Sequence, residues 1–305
     1  MNKPEKDGFF AYLKNFLPAS RQNLGSIKEE IETIKNELAV QKNDIFMLNY
    51  KFSEEDFALR KNILKQRILL SDHLDDKTIC NEKVPMPNYN RMELSQCFEK
   101  LKKLTPRAFS IWEELLEVNR KACTGFPIHS CSVEGHPMAE LFRCFLKLYL
   151  KGPVLDIGCG PQSIPSYLCD YPCESIAGID PLSSPEQHSF VFVKGMAEFL
   201  PWTDKTFSVV VAATSLDHVL LLDQVLKEIH RVLREDGHFI VWASFIKGAE
   251  KYNPYDPEIK KVDDYHLFHF DKEWFEEILN KQFIVRECFS FMEPELSSFY
   301  SFNKR

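Results

Sequence analysis

The last part of the chain alternates short apolar runs with amphipathic stretches. Five runs are almost continuously hydrophobic and rich in β-branched residues, as buried parallel strands are. A helical pattern over Leu220 to Leu233 separates the fourth run from the fifth. Strands that alternate with helices predict an α/β domain, doubly wound around a mostly parallel sheet, over residues 146–305. The five runs are Pro153 to Gly158, Ser175 to Asp180, Phe190 to Val193, Phe207 to Thr214 and His238 to Ser244.

The end of this domain follows a different pattern. A long polar and aromatic loop, residues 245–270, comes after the fifth run, and a helix then opens with Asp271 as its N-cap. Two further strand-like runs, FIVRECFSF and SSFYSF, end the chain. They predict an antiparallel pair that completes a seven-stranded sheet.

Residues 24–52 have a heptad pattern. Apolar residues from Leu24 to Phe52 recur at alternating spacings of three and four, with Gln41 as the polar exception. A period of 3.5 sustained over about four heptads predicts a coiled coil, and therefore a homo-oligomer formed through residues 24–52. The alternative is one amphipathic helix that packs on its own protein, for which a wider apolar stripe is expected.

Two other segments precede the α/β domain. Residues 1–23 form an amphipathic segment, and contact of residues 8–17 with a membrane surface is one interpretation of it. A short segment with few basic residues binds lipid weakly, so packing against protein is the favoured interpretation. Residues 53–145 are predicted to be a helical segment with loop breaks, including helices over residues 106–121 and 138–150.

Composition narrows the class of protein. No run reaches the roughly 18 to 20 apolar residues of a membrane span, and the N-terminus has too short an apolar stretch for a secretory signal. The nine cysteines show no paired spacing typical of zinc or redox sites, so we expect reduced thiols in a cytoplasmic protein and assign no metal ligands. A formal charge of −7 argues against nucleic acid as a partner.

Candidate chemistry begins at the first apolar run. VLDIGCG, residues 154–160, is a strand that ends in a glycine-rich turn, which we expect to open toward a helix and to let backbone approach a nucleoside. Asp180 ends the next strand, about 20 residues after the turn, where a carboxylate can accept the hydroxyls of a ribose. A dinucleotide site fits less well, because Gly160 is followed by PQS without the third glycine.

These features resemble the class I S-adenosylmethionine-dependent methyltransferases, whose domain is Rossmann-like, over residues 151–305. The likeness extends through GMAEFLPWTDKTFSVV and LKEIHRVLREDGHFIVW, and loosely to bacterial methyltransferases found with glycan synthesis. The resemblance implies S-adenosyl-L-methionine as cofactor. It implies that Gly158, Cys159 and Gly160 flank its methionine portion and that Asp156 helps to hold its amino group. It further implies that Asp180 binds the ribose, that Ala197 meets the adenine edge, and that Trp202 forms a wall near it.

The chain departs from the family pattern at three places, of which one is Ser208 in place of an acidic residue common at the start of the fourth strand. Met196 stands where many relatives have an acid that accepts from the adenine amino group, so that hydrogen bond is absent or supplied by Glu198. The link from Pro181 to Ser189 has only nine residues, which is too short for a full crossover helix.

SLDHV follows the fourth run and places Asp217 and His218 at the carboxyl edge of the sheet. Histidine titrates near neutrality, so His218 with its carboxylate neighbour is the candidate base for a hydroxyl acceptor. The alternative is a helix that begins near Val219 with Asp217 as its cap. Further candidates lie in the loop after the fifth run, although each by itself fits a surface or packing residue: Tyr252, Tyr255, Tyr265, His266 and His269.

The leading hypothesis is O-methylation of a small polar or carbohydrate (glycan) acceptor. One alternative keeps the fold but methylates nitrogen or carbon of a metabolite or protein. A second makes the chain a coiled-coil scaffold whose methyltransferase-like domain is not catalytic.

Overall fold

The structure is a computed structural model of the 305-residue chain. It describes residues 54–74, 82–88, 93–125, 132–291 and 296–305. The predicted amphipathic segment and coiled coil, with the membrane contact at residues 8–17 and the association through residues 24–52, lie outside the described residues. The chain divides into two compact units, Met1–Phe57 and Ala58–Arg305.

The described strands form a seven-stranded sheet of order β3-β2-β1-β4-β5-β7-β6. The first five strands are parallel, and β7 pairs antiparallel with both β5 and β6. This confirms the predicted sheet and its C-terminal antiparallel pair. The strands are β1 (Val154–Ile157), β2 (Ile176–Asp180), β3 (Val191–Lys194), β4 (Phe207–Ala213), β5 (Leu233–Phe245), β6 (Phe283–Phe291) and β7 (Leu296–Lys304).

Burial of the central strands on both faces of the sheet explains why their sequences are continuously apolar. Every residue of β1, β2 and β4 is buried, so no polar face alternates along them. The strand order reverses at β1, which pairs with β2 on one side and β4 on the other. In open α/β sheets the ligand site lies beyond the carboxyl ends of the strands at such a switch point.

The helices occupy the N-terminal part and two of the later connections. Phe142 packs its ring 5.6 Å from that of Trp242 and 5.0 Å from that of Phe299, so the predicted helical segment covers one face of β5 and β7. Among the described residues, no helix is both long and apolar enough to cross a membrane. The helices are α1 (Glu54–Leu74), α2 (Leu94–Leu104), α3 (Pro106–Gly125), α4 (Pro137–Leu146), α5 (Leu222–Val232) and α6 (Lys272–Leu279).

The first crossover differs from the expectation. Residues 158–175, all of which the structure describes, contain two 3₁₀ turns and no α-helix, so the glycine-rich turn does not open toward a helix. Proline residues at 161, 165 and 172 explain this, because proline removes a backbone donor and restricts the residue before it. The link from β2 to β3, residues 181–190, likewise holds only a 3₁₀ turn, as its short length predicts. The sheet is therefore doubly wound only in part.

An extended segment, residues 82–88, ties the amino ends of the strands together. Val84 N–H donates to Glu174 O at 2.9 Å, just before β2. The Trp202 indole, buried against Phe207 at the start of β4, donates to Pro85 O at 3.2 Å. Trp202 is thus a core residue at the amino edge, and the expectation that it walls an adenine at the carboxyl edge is wrong.

Candidate functional site

The glycine-rich turn brings bare backbone to the end of β1. Gly158 has φ +70°, and a Cβ added there would lie 2.5 Å from the Cβ of Ser215, which follows β4. Its N–H donates to Ile179 O in β2 at 2.9 Å, while the Ser215 hydroxyl donates to Ile157 O at 2.6 Å. The ends of β1, β2 and β4 therefore meet at a point where a side chain does not fit.

Asp180 faces this turn directly. Gly160 N–H donates to Asp180 Oδ2 at 3.1 Å, and the N–H groups of Leu182 and Ser183 donate to Oδ1 at 2.7 and 3.2 Å. Burial raises the pKa of Asp180, although these three N–H groups act in the opposite direction. The two places that the sequence pairs, the glycine turn and the carboxylate about 20 residues later, are in hydrogen-bond contact.

The residues after β3 reach the same edge. Gly195 N–H donates to Asp180 O at 3.3 Å, which places Met196 and Ala197 beside the end of β2. Both are nearly buried, with exposed fractions of 3% and 8%. Met196 can therefore provide an apolar contact next to Asp180, and the backbone of Ala197 can provide hydrogen-bonding groups there.

Glu198 follows Ala197 and binds the backbone at the entry to α5. Its side chain is fully buried, and Oε1 accepts from the N–H groups of Leu220 and Leu221 at 2.9 and 3.1 Å. Oε2 has no hydrogen-bond partner within the described part of the chain. The structure thus shows Glu198 holding the chain that enters α5, and its hydrogen bond to an adenine amino group stays a prediction.

Two other predicted residues lie beneath the turn. Asp156 is fully buried, accepts from the Tyr167 hydroxyl at 2.9 Å through Oδ2, and leaves Oδ1 without a partner among the described residues. Burial raises the pKa of Asp156 to about 7. The Cys159 thiol is buried against Gly178, so only its backbone faces the turn.

These features fit the cofactor that the resemblance implies. Gly158 and Gly160 both have φ +70°, a conformation that favours glycine, so the turn carries no side chain at either position. Asp180 retains acceptor capacity for ribose hydroxyls, because a carboxylate has about four lone-pair sites and three are used. The orphaned Oδ1 of Asp156 offers a further acceptor below the turn.

Asp217 and His218 lie in a 3₁₀ turn, Leu216–His218, directly after β4. The alternative in which Asp217 caps the next helix is wrong, because α5 begins at Leu222 with Leu221 in the N-cap position and no side-chain cap. The Trp112 indole of α3 donates to His218 O at 2.8 Å and fixes this turn. The pKa of His218 is lowered, chiefly by burial, which favours the neutral imidazole.

The long loop after β5 adds partners that the sequence does not connect with this turn. The ring centroid of His266 lies 4.6 Å from that of His218, and its Nδ1 lies 3.0 Å from an oxygen of Asp263. His269 Nε2 also lies 3.0 Å from Asp263. We name these residues the histidine–aspartate cluster: Asp217, His218, Asp263, His266 and His269.

The tyrosines of this loop have other places. The Tyr252 ring stacks on Phe268 at 4.2 Å and its hydroxyl donates to Leu220 O at 3.0 Å, while Tyr255 and Tyr265 are exposed. Asn119 of α3 donates to Tyr265 O at 2.9 Å. The loop is thus fixed by α3 and by the start of α5, which explains how distant histidines reach Asp217.

Comparison with known proteins gives a family match. Residues 155–241 match the family described as "Methyltransferase domain". The chain is 31% identical to sterol 4-C-methyltransferase strm-1 of Caenorhabditis elegans over 146 residues, 42% of each protein. It is 36% identical to the mitochondrial arginine-hydroxylase NDUFAF5 of Homo sapiens over 92 residues, 28% of this chain and 27% of the relative. The chain thus covers less than half the length of either curated relative.

Among solved structures, the PH0226 protein of Pyrococcus horikoshii OT3 aligns with a TM-score of 0.47 at 22% identity. The alignment covers 61% of this chain and 99% of that protein.

Proposed function

From the premise that this chain belongs to the class I S-adenosylmethionine-dependent methyltransferases, we propose that it methylates a small polar or carbohydrate acceptor at a hydroxyl oxygen. One observation carries the cofactor part of the proposal: Gly160 N–H donates to Asp180 Oδ2 at 3.1 Å. The glycine-rich turn after β1 and Asp180 at the end of β2 therefore bind the same ligand.

The cofactor supplies a methyl group already activated on a sulfonium, so the protein's task is mainly alignment and exclusion of water. We propose that the backbone of Gly158, Cys159 and Gly160 lies against the methionine portion. Asp180 binds the ribose hydroxyls, and Met196 with Ala197 lines the adenine. Asp156 supports the turn from below.

The acceptor side is proposed to lie at the histidine–aspartate cluster. Ser215 abuts Gly158, so the turn that carries Asp217 and His218 begins next to the cofactor turn. A hydroxyl acceptor must lose a proton on methylation, and neutral imidazole and carboxylate groups can receive it. The polar character of the cluster supports a hydroxylated acceptor.

Cofactor binding can be measured with the full chain. We expect calorimetric titration with S-adenosylhomocysteine to show one site, and Asp180→Asn to bind about 10 to 100 times more weakly, since hydrogen bonds to a charged group contribute about 1.5–3 kcal/mol. His230→Gln, in the last turn of α5 beside Phe283 of β6, should bind like the unchanged chain. Absence of binding at millimolar ligand would overturn the proposal.

The acceptor atom can be identified from the product. Incubation with S-adenosylmethionine carrying a ¹³C-labelled methyl and a small-molecule extract of the source organism should give a methyl resonance typical of a methoxy group. His218→Ala should lower its formation by about 100-fold or more without changing the affinity for S-adenosylhomocysteine. Label on nitrogen or carbon would reject O-methylation and leave the family intact. One relative is named a hydroxylase, so a measured methyl product is the decisive observation.

A further inference from the structure

Three potential ligand atoms of the histidine–aspartate cluster converge. His218 Nε2 lies 3.9 Å from Asp217 Oδ1, and His266 Nε2 lies 3.9 Å from Asp217 Oδ2. One ligand atom from each of the three residues lies within 4.8 Å of the other two. Two imidazoles and one carboxylate thus surround a common point at the carboxyl end of β4.

These separations are too long for hydrogen bonds, for which donor and acceptor must approach within about 3.2 Å. They are close to what a metal ion requires. Two ligands that each lie about 2.1 Å from a tetrahedral Zn²⁺ are about 3.4 Å apart. The two 3.9 Å separations exceed this by about 0.5 Å, and a separation at the 4.8 Å limit exceeds it by about 1.4 Å, so side-chain movements of that size would convert the observed arrangement into a coordination sphere.

Asp263 orients the His266 ring so that Nε2 is the nitrogen that faces Asp217. Its Nδ1 lies 3.0 and 3.1 Å from the two oxygens of Asp263, so this nitrogen donates to a carboxylate and Nε2 keeps its lone pair on the side of Asp217. A carboxylate on the remote nitrogen is the usual support of a metal-bound histidine. His269 in turn holds Asp263 through Nε2 at 3.0 Å.

Asp217 differs from His266, because among the described residues its side chain accepts no hydrogen bond. Its side chain is 15% exposed, and no hydrogen bond from the described residues reaches its carboxylate. A half-enclosed carboxylate is stabilised by a cation, because leaving water without compensation is costly for a charged group. The cluster offers no lysine or arginine for this purpose.

We propose that Asp217, His218 and His266 bind one first-row divalent metal ion of the Zn²⁺ type. Imidazole ligands favour such ions over Mg²⁺ or Ca²⁺, which prefer oxygen-only sets. Three protein ligands leave a coordination position open. Its use for the acceptor's oxygen rests on the proposed function, and in that case His218 holds the metal ion instead of receiving the proton itself.

Metal binding is tested with the full chain after treatment with a chelator. Zn²⁺ is titrated in competition with a chromophoric chelator, and Co²⁺ is added separately to record visible absorption. We expect one ion per chain, and a Co²⁺ spectrum that lacks thiolate charge-transfer bands because the ligands are nitrogen and oxygen. Zn²⁺ should also raise the Tm of the metal-free chain, since it binds only the folded form.

Variants assign the ligands. His218→Ala, His266→Ala and Asp217→Asn should each weaken Zn²⁺ binding by at least about 100-fold, and Asp263→Asn by about 10 to 100-fold as an outer partner. His230→Gln replaces a histidine outside the cluster and should bind Zn²⁺ normally. Thermal unfolding of each metal-free variant verifies that it is folded.

The inference is overturned if the metal-free chain takes up no stoichiometric ion, if thiolate bands appear, or if the cluster variants bind as well as His230→Gln. S-adenosylhomocysteine titrated into the metal-free chain separates the two proposals. Binding of this ligand without any binding of Zn²⁺ would reject the metal site alone. Binding of Zn²⁺ without it would reject the proposed function alone.

Discussion

At the level of single residues, the site depends on the absence of a side chain at Gly158. Gly158 combines a left-handed backbone with a neighbour, Ser215, that leaves no space for a Cβ. Gly248 has a similar φ, +77°, but nothing lies within 4 Å of an added Cβ. A comparison of Gly158 with Gly248 therefore distinguishes the cost of a positive φ from the cost of a steric clash.

We predict that Gly158→Ala destabilises the chain more than Gly248→Ala. The positive φ costs about 1–2 kcal/mol in either variant, and the clash with Ser215 adds about 1–3 kcal/mol. Urea unfolding measures the difference. In a Ser215→Gly background the extra cost should largely disappear, and equal costs for both glycines in the unchanged chain would contradict the packing at the turn.

At the scale of elements, α5 begins without a capping side chain of its own. The buried Glu198 supplies the missing acceptor from the 3₁₀ turn after β3 and thereby joins two connections on the same edge of the sheet. The turn with Asp217 and His218 lies between Ser215 and this anchored entry to α5. The position of the acceptor side thus depends on a carboxylate distant in sequence.

Glu198→Gln should keep most of the stability, because the amide oxygen can still accept from Leu220 and Leu221. Glu198→Ala should lower the free energy of unfolding by about 2–4 kcal/mol, since two buried N–H groups lose their acceptor. Chemical denaturation of the three proteins provides the test. An alanine variant as stable as the glutamine variant would show that these hydrogen bonds contribute little.

At the scale of the whole molecule, the N-terminal helices are joined to the far edge of the sheet. Arg67 of α1 donates to both oxygens of Glu287 in β6, at 2.5 and 2.8 Å, and the Tyr149 hydroxyl donates to the same carboxylate. These interactions, the hydrogen bond from Arg67 first, hold the pKa of Glu287 below its usual value. A lowered carboxyl pKa stabilises the fold above the unfolded pKa, and this contribution is lost as the pH falls through the folded pKa.

Arg67→Met should therefore destabilise the chain at pH 7 by no more than about 1 kcal/mol, because the pair is partly exposed. The difference from the unchanged chain should shrink as the pH falls below about 4. Thermal unfolding between pH 3 and pH 7 measures it. Arg120→Met removes a solvent-exposed partner of Glu117 and serves as control, for which we expect a smaller loss of stability at pH 7 than for Arg67→Met.

Local patterns in the chain specify the seven strands, the N-cap Asp271 and the spacing between the glycine turn and Asp180. Buried strands and tight turns can be predicted from short stretches of sequence, because continuous apolar runs and glycines at fixed spacing are compatible with few alternative structures. The missing first crossover helix was also encoded locally, in prolines at 161, 165 and 172.

Contacts between side chains that are distant in sequence follow from the folded arrangement of the loops. His266 lies 48 positions after His218 in a loop without periodicity, and its approach depends on contacts of that loop with α3 and α5. Glu198 likewise serves a helix entry more than 20 residues away. Such partners follow from how connections fold back over the edge of the sheet, which no local pattern of residues specifies.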